Sequence, residues 1–266
     1  MKRFLTKENR ALLAELVRTD FKLRYQGSAL GYIWSLLKPL MMFVILYIVF
    51  VFFLKMDKGV PHFPIYLLLG IVLWNFFTEM TVQSLGSVVG RGDLIRKVKI
   101  PRWMIPVSTS ISALINLGLS LIIVAIFMIF NGVSLGMTTP LLAVNIVLFY
   151  LFALGCSLFL AAAYVKFRDL SYIWEVILQA GFYATPIIYS LSIVPSELIQ
   201  KILLLNPVAL IIQDARYNVI GHQVPTAWNT FSNHWFVLIP YAAIALILVL
   251  GVWYFRRESS TFAENI

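Results

Sequence analysis

The chain has 266 residues, of which 61% are hydrophobic and 12% are charged. Soluble domains are about half apolar and about a quarter charged, so the composition excludes an ordinary soluble protein and predicts an integral membrane protein. The net charge of +9 does not indicate nucleic-acid binding. The basic residues gather at the ends of apolar runs, where orientation in the membrane and contact with lipid head groups require them.

Residues 1–30 predict an amphipathic helix that lies in the membrane interface. Apolar side chains recur at helical spacing from Leu12 to Phe21, and basic residues fall among the polar positions between them. Thr6 can cap this helix. An ordinary packed N-terminal helix is the alternative, but the membrane span that follows favours the interfacial position. The segment holds too many charges for the apolar core of a signal peptide, so we expect none.

Six apolar runs predict six transmembrane helices, because each is close to the ~20 residues that cross a bilayer. They run from about Ile33 to Leu54, Ile65 to Val89, Ile105 to Phe130, Leu141 to Val165, Tyr172 to Tyr189 and Phe236 to Phe255. The chain is thus predicted to be an all-α polytopic membrane protein. We assign residues 31–258 to one membrane domain and residues 259–266 to a tail.

An even number of spans places both termini on one side of the membrane. That side then carries every Lys and Arg residue except Lys55, Lys58, Lys201 and Arg216. The positive-inside rule therefore predicts that both termini and the tail are cytoplasmic.

The stretch between the last two predicted spans breaks this pattern. Two apolar segments there, Leu198 to Leu205 and Val208 to Ile220, are too short to cross a bilayer alone. We expect two short helices that dip back toward the membrane as a gate, which is allowed only where protein or water covers the backbone. The residues that punctuate or interrupt these gate helices are Pro195, Asn206, Pro207, Asp214 and Arg216.

The loop between spans 2 and 3, Gly90 to Trp103, carries the densest run of basic residues among the loops. Its apolar residues are interleaved with cations, which predicts a short amphipathic helix that Pro101 ends. A positive-inside loop with no further role is the alternative. An apolar face held clear of the bilayer favours docking in a groove on a soluble partner. We therefore predict a coupling segment made of Arg91, Asp93, Leu94, Ile95, Arg96, Lys97, Val98 and Lys99.

The sequence contains no Gly-x-x-x-x-Gly-Lys-Ser/Thr motif, so ATP hydrolysis by that route would need another chain. The histidines and the single cysteine lack the spacing of a metal site, and we expect neither a metal nor a catalytic residue here. Three acids lie in or near the spans. For Asp169 and Glu175 we favour a structural role near the cytoplasmic edge, whereas for Glu79 a structural and a functional role stay about equally open.

Aromatic residues make up 15% of the chain, and their apolar faces can serve sugar rings as platforms. Six of them are candidates for lining a translocation path, although plain packing is the simpler interpretation of each one singly. These candidates are Phe43, Tyr47, Phe50, Phe182, Tyr183 and Tyr189.

Several spaced motifs resemble one family. The stretch from Arg24 to Trp34, followed by Lys38 and Pro39, resembles the entry signature of type-2 ABC transporter membrane subunits that export polysaccharides and polyol phosphates. Four further segments are similar to the same family: Phe167 to Leu170, Thr185 to Tyr189, Asn206 with Pro207, and Phe255 to Glu264. The resemblance covers essentially the whole chain.

The resemblance implies a homodimer of six-span subunits bound to two copies of a soluble ATPase subunit, which binds ATP and Mg²⁺. It implies that residues 90–103 form the coupling helix and residues 195–220 the gate helices at the outer face. It also implies a polyprenyl-linked glycan substrate, of the O-antigen, capsule or teichoic acid type. The glycan would cross the cytoplasmic (inner) membrane of a bacterium between two protomers.

Our first hypothesis is therefore the transmembrane subunit of an ATP-driven glycan exporter. One alternative is a drug or lipid exporter of the same architecture, which predicts a narrower path. The other is a membrane-embedded transferase that acts on polyprenyl-linked sugars. A transferase would need paired acids, for which Asp169 with Glu175 is the candidate pair.

Overall fold

A computed structural model describes residues 6–24, 27–28, 31, 33–55, 60–97, 100–134, 136–221 and 223–262. Throughout these residues the regular structure is helical, which confirms the all-α prediction. Some predicted features lie at least partly outside the described residues. They are Val98 and Lys99 of the coupling segment, the stretch from Arg24 to Trp34, and the end of the tail.

The described α-helices, in chain order, are α1 (Lys7–Arg24), α2 (Ile33–Tyr47), α3 (Phe63–Ser87), α4 (Gly92–Lys97), α5 (Met104–Phe130), α6 (Leu141–Lys166), α7 (Leu170–Ala184), α8 (Glu197–Leu204), α9 (Pro207–Ile220), α10 (Ala227–Thr230) and α11 (Leu238–Glu258). A π-helical segment, Ile48–Phe53, extends α2. A 3₁₀ turn, Val89–Arg91, joins α3 to α4.

Five of the described helical segments are long and apolar enough to cross a bilayer: Ile33–Phe53, Phe63–Ser87, Met104–Phe130, Leu141–Lys166 and Trp235–Thr261. They confirm five of the six predicted spans to within a few residues. The pair α8 and α9 would give a sixth crossing if the two were one span, but the two helices are bent by 98° at the break between them.

Helix α7 is shorter than the predicted span from Tyr172 to Tyr189. Its 15 residues extend about 22 Å at 1.5 Å per residue, which is less than the ~30 Å hydrocarbon core of a bilayer. The helix ends at Ala184, and Thr185 has an extended backbone (φ −102°, ψ 135°). The reason is Pro186, because a proline disfavours the helical conformation of the residue before it.

Helix α3 lies at the centre of the bundle. It is strongly hydrophobic and mostly buried, with α2, α5, α6 and α9 packed around it, and its polar residues Asn75, Thr78, Glu79 and Gln83 share one face that lines a cleft. On one side, α6 packs tightly against α11. A Cβ atom on Gly155 would lie 2.7 Å from the Ile247 carbonyl oxygen, and one on Gly251 would overlap with Gly155. The two backbones approach as closely as only small residues allow.

Candidate functional site

The coupling segment begins with the 3₁₀ turn and continues as α4. Asp93, Arg96 and Lys97 are exposed, and Leu94 and Ile95 are half-buried. Ile95 packs inside this chain, against a cluster that contains Phe255 and Phe262. The predicted apolar docking face is therefore partly covered by the chain itself. What α4 offers to a partner is mainly its three exposed charges, and its role in coupling stays a prediction.

The Arg91 side chain contacts other helices of the chain, whereas Arg96 and Lys97 are exposed on α4. Its guanidinium forms an ion pair with Asp20 of α1 and donates from Nη1 to the Ser108 hydroxyl of α5 at 3.1 Å. The Ser108 hydroxyl in turn donates to Asp20 Oδ2 at 2.9 Å. Burial lowers the pKa of Arg91 from its usual value, and the Asp20 carboxylate opposes this by favouring the charged form. The start of α4 is thus tied to α1 and α5.

The predicted pair of short helices is present as α8 and α9. Asn206 caps α9, since its side-chain oxygen accepts from the Val208 N–H at 3.0 Å, and Pro207 occupies the first helical position, where its missing N–H costs nothing. The Asn206 amide also donates to the Thr185 hydroxyl at 3.2 Å. Pro195 lies before α8 and is exposed. The gate role of these helices stays a prediction.

Arg216 of α9 is fully buried. Its Nε donates to the Tyr66 carbonyl at 2.9 Å, and its Nη2 donates to the Ile187 carbonyl at 2.7 Å. Its Nη1 donates to the Pro186 carbonyl at 2.5 Å and to Gln213 Oε1 at 3.1 Å. The guanidinium carbon lies 3.5 Å from the centre of the Tyr66 ring. These contacts offset the cost of burying a charge.

No carboxylate among the described residues forms an ion pair with Arg216. Its position instead depends on Gly70 of α3, where a Cβ atom would overlap with the guanidinium. Asp214, two residues earlier, accepts a hydrogen bond from the Tyr241 hydroxyl at 2.9 Å. The two charges that interrupt the predicted gate helix are therefore separate, and each has its own partners.

Glu79 lines a cleft of about 520 Å³ between α2, α3 and α5. Its Oε1 accepts from the Asn116 amide at 2.6 Å and from the Gln83 amide at 3.4 Å. These contacts support a structural role for Glu79, because its carboxylate accepts hydrogen bonds from two amide side chains. Asp169 and Glu175 are both exposed. Within the described part of the chain, no three His, Cys, Asp or Glu side chains lie together as ligands of a metal ion would.

The six candidate path residues form two groups. On α2 and its π-helical extension, Phe43 is buried against Phe127 with ring centres 5.3 Å apart, while Tyr47 and Phe50 are half-buried. Around the end of α7, Phe182 packs against Trp74 at 6.0 Å. Tyr183 is 63% exposed, and Tyr189 donates its hydroxyl to the Tyr183 carbonyl at 3.2 Å. Of the six, only Tyr183 is largely open in the single chain.

Comparisons with known proteins agree with this architecture. The family model described as ABC-2 type transporter matches residues 11–220. A protein from Myxococcus xanthus named O-antigen export system permease protein RfbA is 29% identical over 97% of this chain and 96% of its own length. Two proteins of the same name from Klebsiella pneumoniae are 28% and 27% identical, each over 95% of this chain and 94% of their own length. The chain therefore belongs to the ABC-2 type transporter family of membrane proteins.

Proposed function

We propose that this chain is the transmembrane subunit of an ATP-driven exporter that moves a polyprenyl-linked polysaccharide across the cytoplasmic membrane of a bacterium. The observation that carries the proposal is the similarity, over nearly the whole chain, to three permeases named for O-antigen export. Membership in the family implies that an ATPase subunit works with this chain. In our proposal two such subunits bind ATP and Mg²⁺, and both termini of this chain face them in the cytoplasm.

The coupling step in this proposal begins at α4. The exposed side chains of Asp93, Arg96 and Lys97 meet the ATPase subunit, since charged surfaces select partners and fix their register. Closure of the ATPase subunits displaces α4. The ion pair of Arg91 with Asp20 passes the displacement on to α1 and α5, because separating a half-buried ion pair leaves uncompensated charges.

The proposal includes a second copy of this chain. Helix α7 exposes Tyr172, Ile173 and Val176, each by more than half, and α2 also carries exposed apolar side chains. Lipid can cover such faces, but a homodimer would enclose a path between α2 and α7 of the two copies. Tyr183 would then face the path, with α8 and α9 as its gate at the outer end.

A matched pair of charge reversals tests the coupling assignment. We expect the double variant Arg96→Glu with Lys97→Glu to lose copurification of the ATPase subunit and to lose export. The control is Arg256→Glu with Arg257→Glu, which reverses two exposed adjacent cations in the last turn of α11 and should preserve both. If the α4 variant kept both properties at normal protein levels, α4 would not be the coupling element.

Deleting the gene for this chain separates the three candidate functions. If the chain exports a glycan, surface glycan disappears and lipid-linked glycan accumulates inside the cell. A drug or lipid exporter leaves surface glycan unchanged. A transferase that uses Asp169 and Glu175 would instead stop synthesis of the lipid-linked glycan, and Asp169→Asn with Glu175→Gln would reproduce that loss. Either of the last two outcomes would overturn the proposed function.

A further inference from the structure

Phe262 is fully buried although it lies beyond the end of the last long helix, α11. Its side chain is 1% exposed, and its ring centre lies 5.4 Å from that of Phe255 in an edge-to-face arrangement. Burial of an aromatic ring stabilises the contacts around it strongly, so the short segment that carries Phe262 has a defined position. We call Ser259–Phe262 the tail segment.

Three hydroxyl side chains set the path of the tail segment. Those of Ser259, Ser260 and Thr261 each donate to the carbonyl three residues earlier, at 2.9, 3.1 and 3.0 Å. These carbonyls belong to the last turn of α11, where the helix itself offers no N–H to pair with them. Directly before the tail segment, Glu258 forms an ion pair with Lys166 at the end of α6. The chain is therefore held in place where it leaves α11.

Phe262 belongs to a hydrophobic cluster that also anchors the coupling segment. The cluster includes Val88, directly before the 3₁₀ turn, and Ile105, at the start of α5, and both are fully buried. Ile95 of α4 packs against the same cluster. The remaining members come from α6 and α11, and Phe255 and Phe262 are the largest side chains of the set. The tail segment thus supplies a large part of the apolar support for the coupling segment.

Helix α4 depends on such support because it has only six residues. Isolated helices shorter than about 12–15 residues are marginal in water. Arg91 fixes the start of α4 through its contacts with α1 and α5. The exposed charges of Asp93, Arg96 and Lys97 form no ion pair within the described part of the chain. Beyond its first residues, α4 is therefore held mainly by the packing of Ile95 against the cluster.

We propose that Phe262 is a positioning residue, which holds α4 in the orientation in which it meets the ATPase subunit. Removal of the ring leaves a void in the cluster against which Ile95 packs, and α4 can then move away from the bundle. Phe262 acts on the partner through α4 and needs no contact with it. This role rests on the proposed function of α4 in coupling, and it adds the tail segment, which that function does not otherwise use.

Hydrogen–deuterium exchange of the chain alone in phosphatidylcholine nanodiscs tests the positioning directly. We expect the backbone amides of Gly92–Lys97 to exchange about tenfold faster in Phe262→Ala than in the unmodified chain, because local opening of α4 becomes easier. Phe262→Leu keeps most of the apolar volume, so exchange in α4 should stay within about twofold of the original.

The matched control is Phe231→Ala. Phe231 is 7% exposed and stacks on Phe236 with ring centres 6.0 Å apart, so the replacement also removes a buried ring that packs on a second phenylalanine. Phe231 follows α10, between the last two predicted spans and on the side opposite the coupling segment by the predicted topology. The exchange of Gly92–Lys97 should therefore be unchanged in this variant.

The affinity of the same variants for the ATPase subunit tests the consequence for coupling. The probe is the ATPase subunit that copurifies with the unmodified chain. We expect Phe262→Ala to weaken binding about three- to tenfold, because only a fraction of the molecules then hold α4 in the competent position. Phe262→Leu and Phe231→Ala should bind as the unmodified chain does.

Two exchange results would overturn the proposal: unchanged exchange of α4 in Phe262→Ala, and an equal rise in Phe231→Ala, which would indicate general destabilisation. The proposal would also be wrong if Phe262→Ala bound the ATPase subunit normally while Arg96→Glu with Lys97→Glu abolished binding. If neither change weakened binding but exchange still rose, the coupling role of α4 would be wrong and its support by the tail segment would stand.

Reactivity of Cys156, the single cysteine, toward a thiol dye on heating verifies that each variant is folded. Should Phe262→Ala fail to fold, Phe262→Val, which leaves a smaller void, takes its place in the same comparisons.

Discussion

Replacing Arg216 by methionine should destabilise the membrane domain severely. Methionine has similar length but donates no hydrogen bond. The carbonyls of Pro186 and Ile187 lie outside helices and accept from no backbone N–H among the described residues, so each would be left buried without a partner. At about 1–3 kcal/mol for each such group, the loss is about 2–6 kcal/mol. At about 2–4 °C per kcal/mol for a chain of this size, the melting temperature should fall by about 4–24 °C.

The control is Lys201→Met on α8, which makes the same kind of change in the neighbouring short helix. Lys201 pairs with Glu197 at 3.2 Å on the surface, and such pairs contribute about 0–1 kcal/mol. Arg216→Lys is the second variant. A single ammonium keeps the charge but cannot reach acceptors spread around a planar guanidinium, so it should recover only part of the loss.

The single cysteine provides the assay for both variants. Cys156 lies inside α6, so a dye that fluoresces on reaction with a thiol reports the unfolding of this helix as the temperature rises. A fall for Arg216→Met no larger than that for Lys201→Met would refute the reasoning. The hydrogen bonds of the guanidinium to Tyr66, Pro186 and Ile187 would then contribute little to holding α9 against the rest of the bundle.

Three further predictions use the same thermal assay or an export assay. Gly251→Ala should lower the melting temperature, because the new methyl overlaps with the α6 backbone, whereas Gly118→Ala, which meets nothing within 4 Å, should not. Asp20→Asn should lower export by weakening the contact with Arg91, and Asp20→Glu, which keeps the carboxylate on a side chain one methylene longer, should retain part of it. Glu79→Gln should preserve most export, since Gln retains an oxygen for the Asn116 amide; complete loss would favour proton transfer at this position.

Much of the fold can be predicted from the sequence, because a bilayer permits few backbone structures. Apolar runs of about 20 residues predicted five spans to within a few residues of their observed ends. The sequence also predicted the two short helices, because their apolar segments are too short to cross a bilayer and Asn206 and Pro207 separate them. The predicted fifth span was too long, since the apolar residues continue past Ala184 while Pro186 has already ended the helix.

The charged groups inside the protein could not be predicted in the same way. Counting Lys and Arg residues predicts the orientation of the spans, but it does not show which basic side chains are buried or paired, as Arg216 and Arg91 are. Arg91 is paired only because α1 folds back along α5, which brings Asp20 to it from far away in the sequence.

Arg91, which is half-buried, and Arg216, which is fully buried, lie at opposite ends of the bundle, and each connects separate segments of the chain. Arg91 connects the start of α4 to α1 and α5, and Arg216 connects α9 to α3. Between them, α3 and α5 pack along each other, and close-packed helices transmit displacement because the core has little free volume. A movement of α4 that is passed to α5 can therefore reach α3 by packing and α9 through the guanidinium of Arg216. The physical connection between the coupling segment and the predicted gate thus depends on two arginines that the sequence presents as ordinary charges.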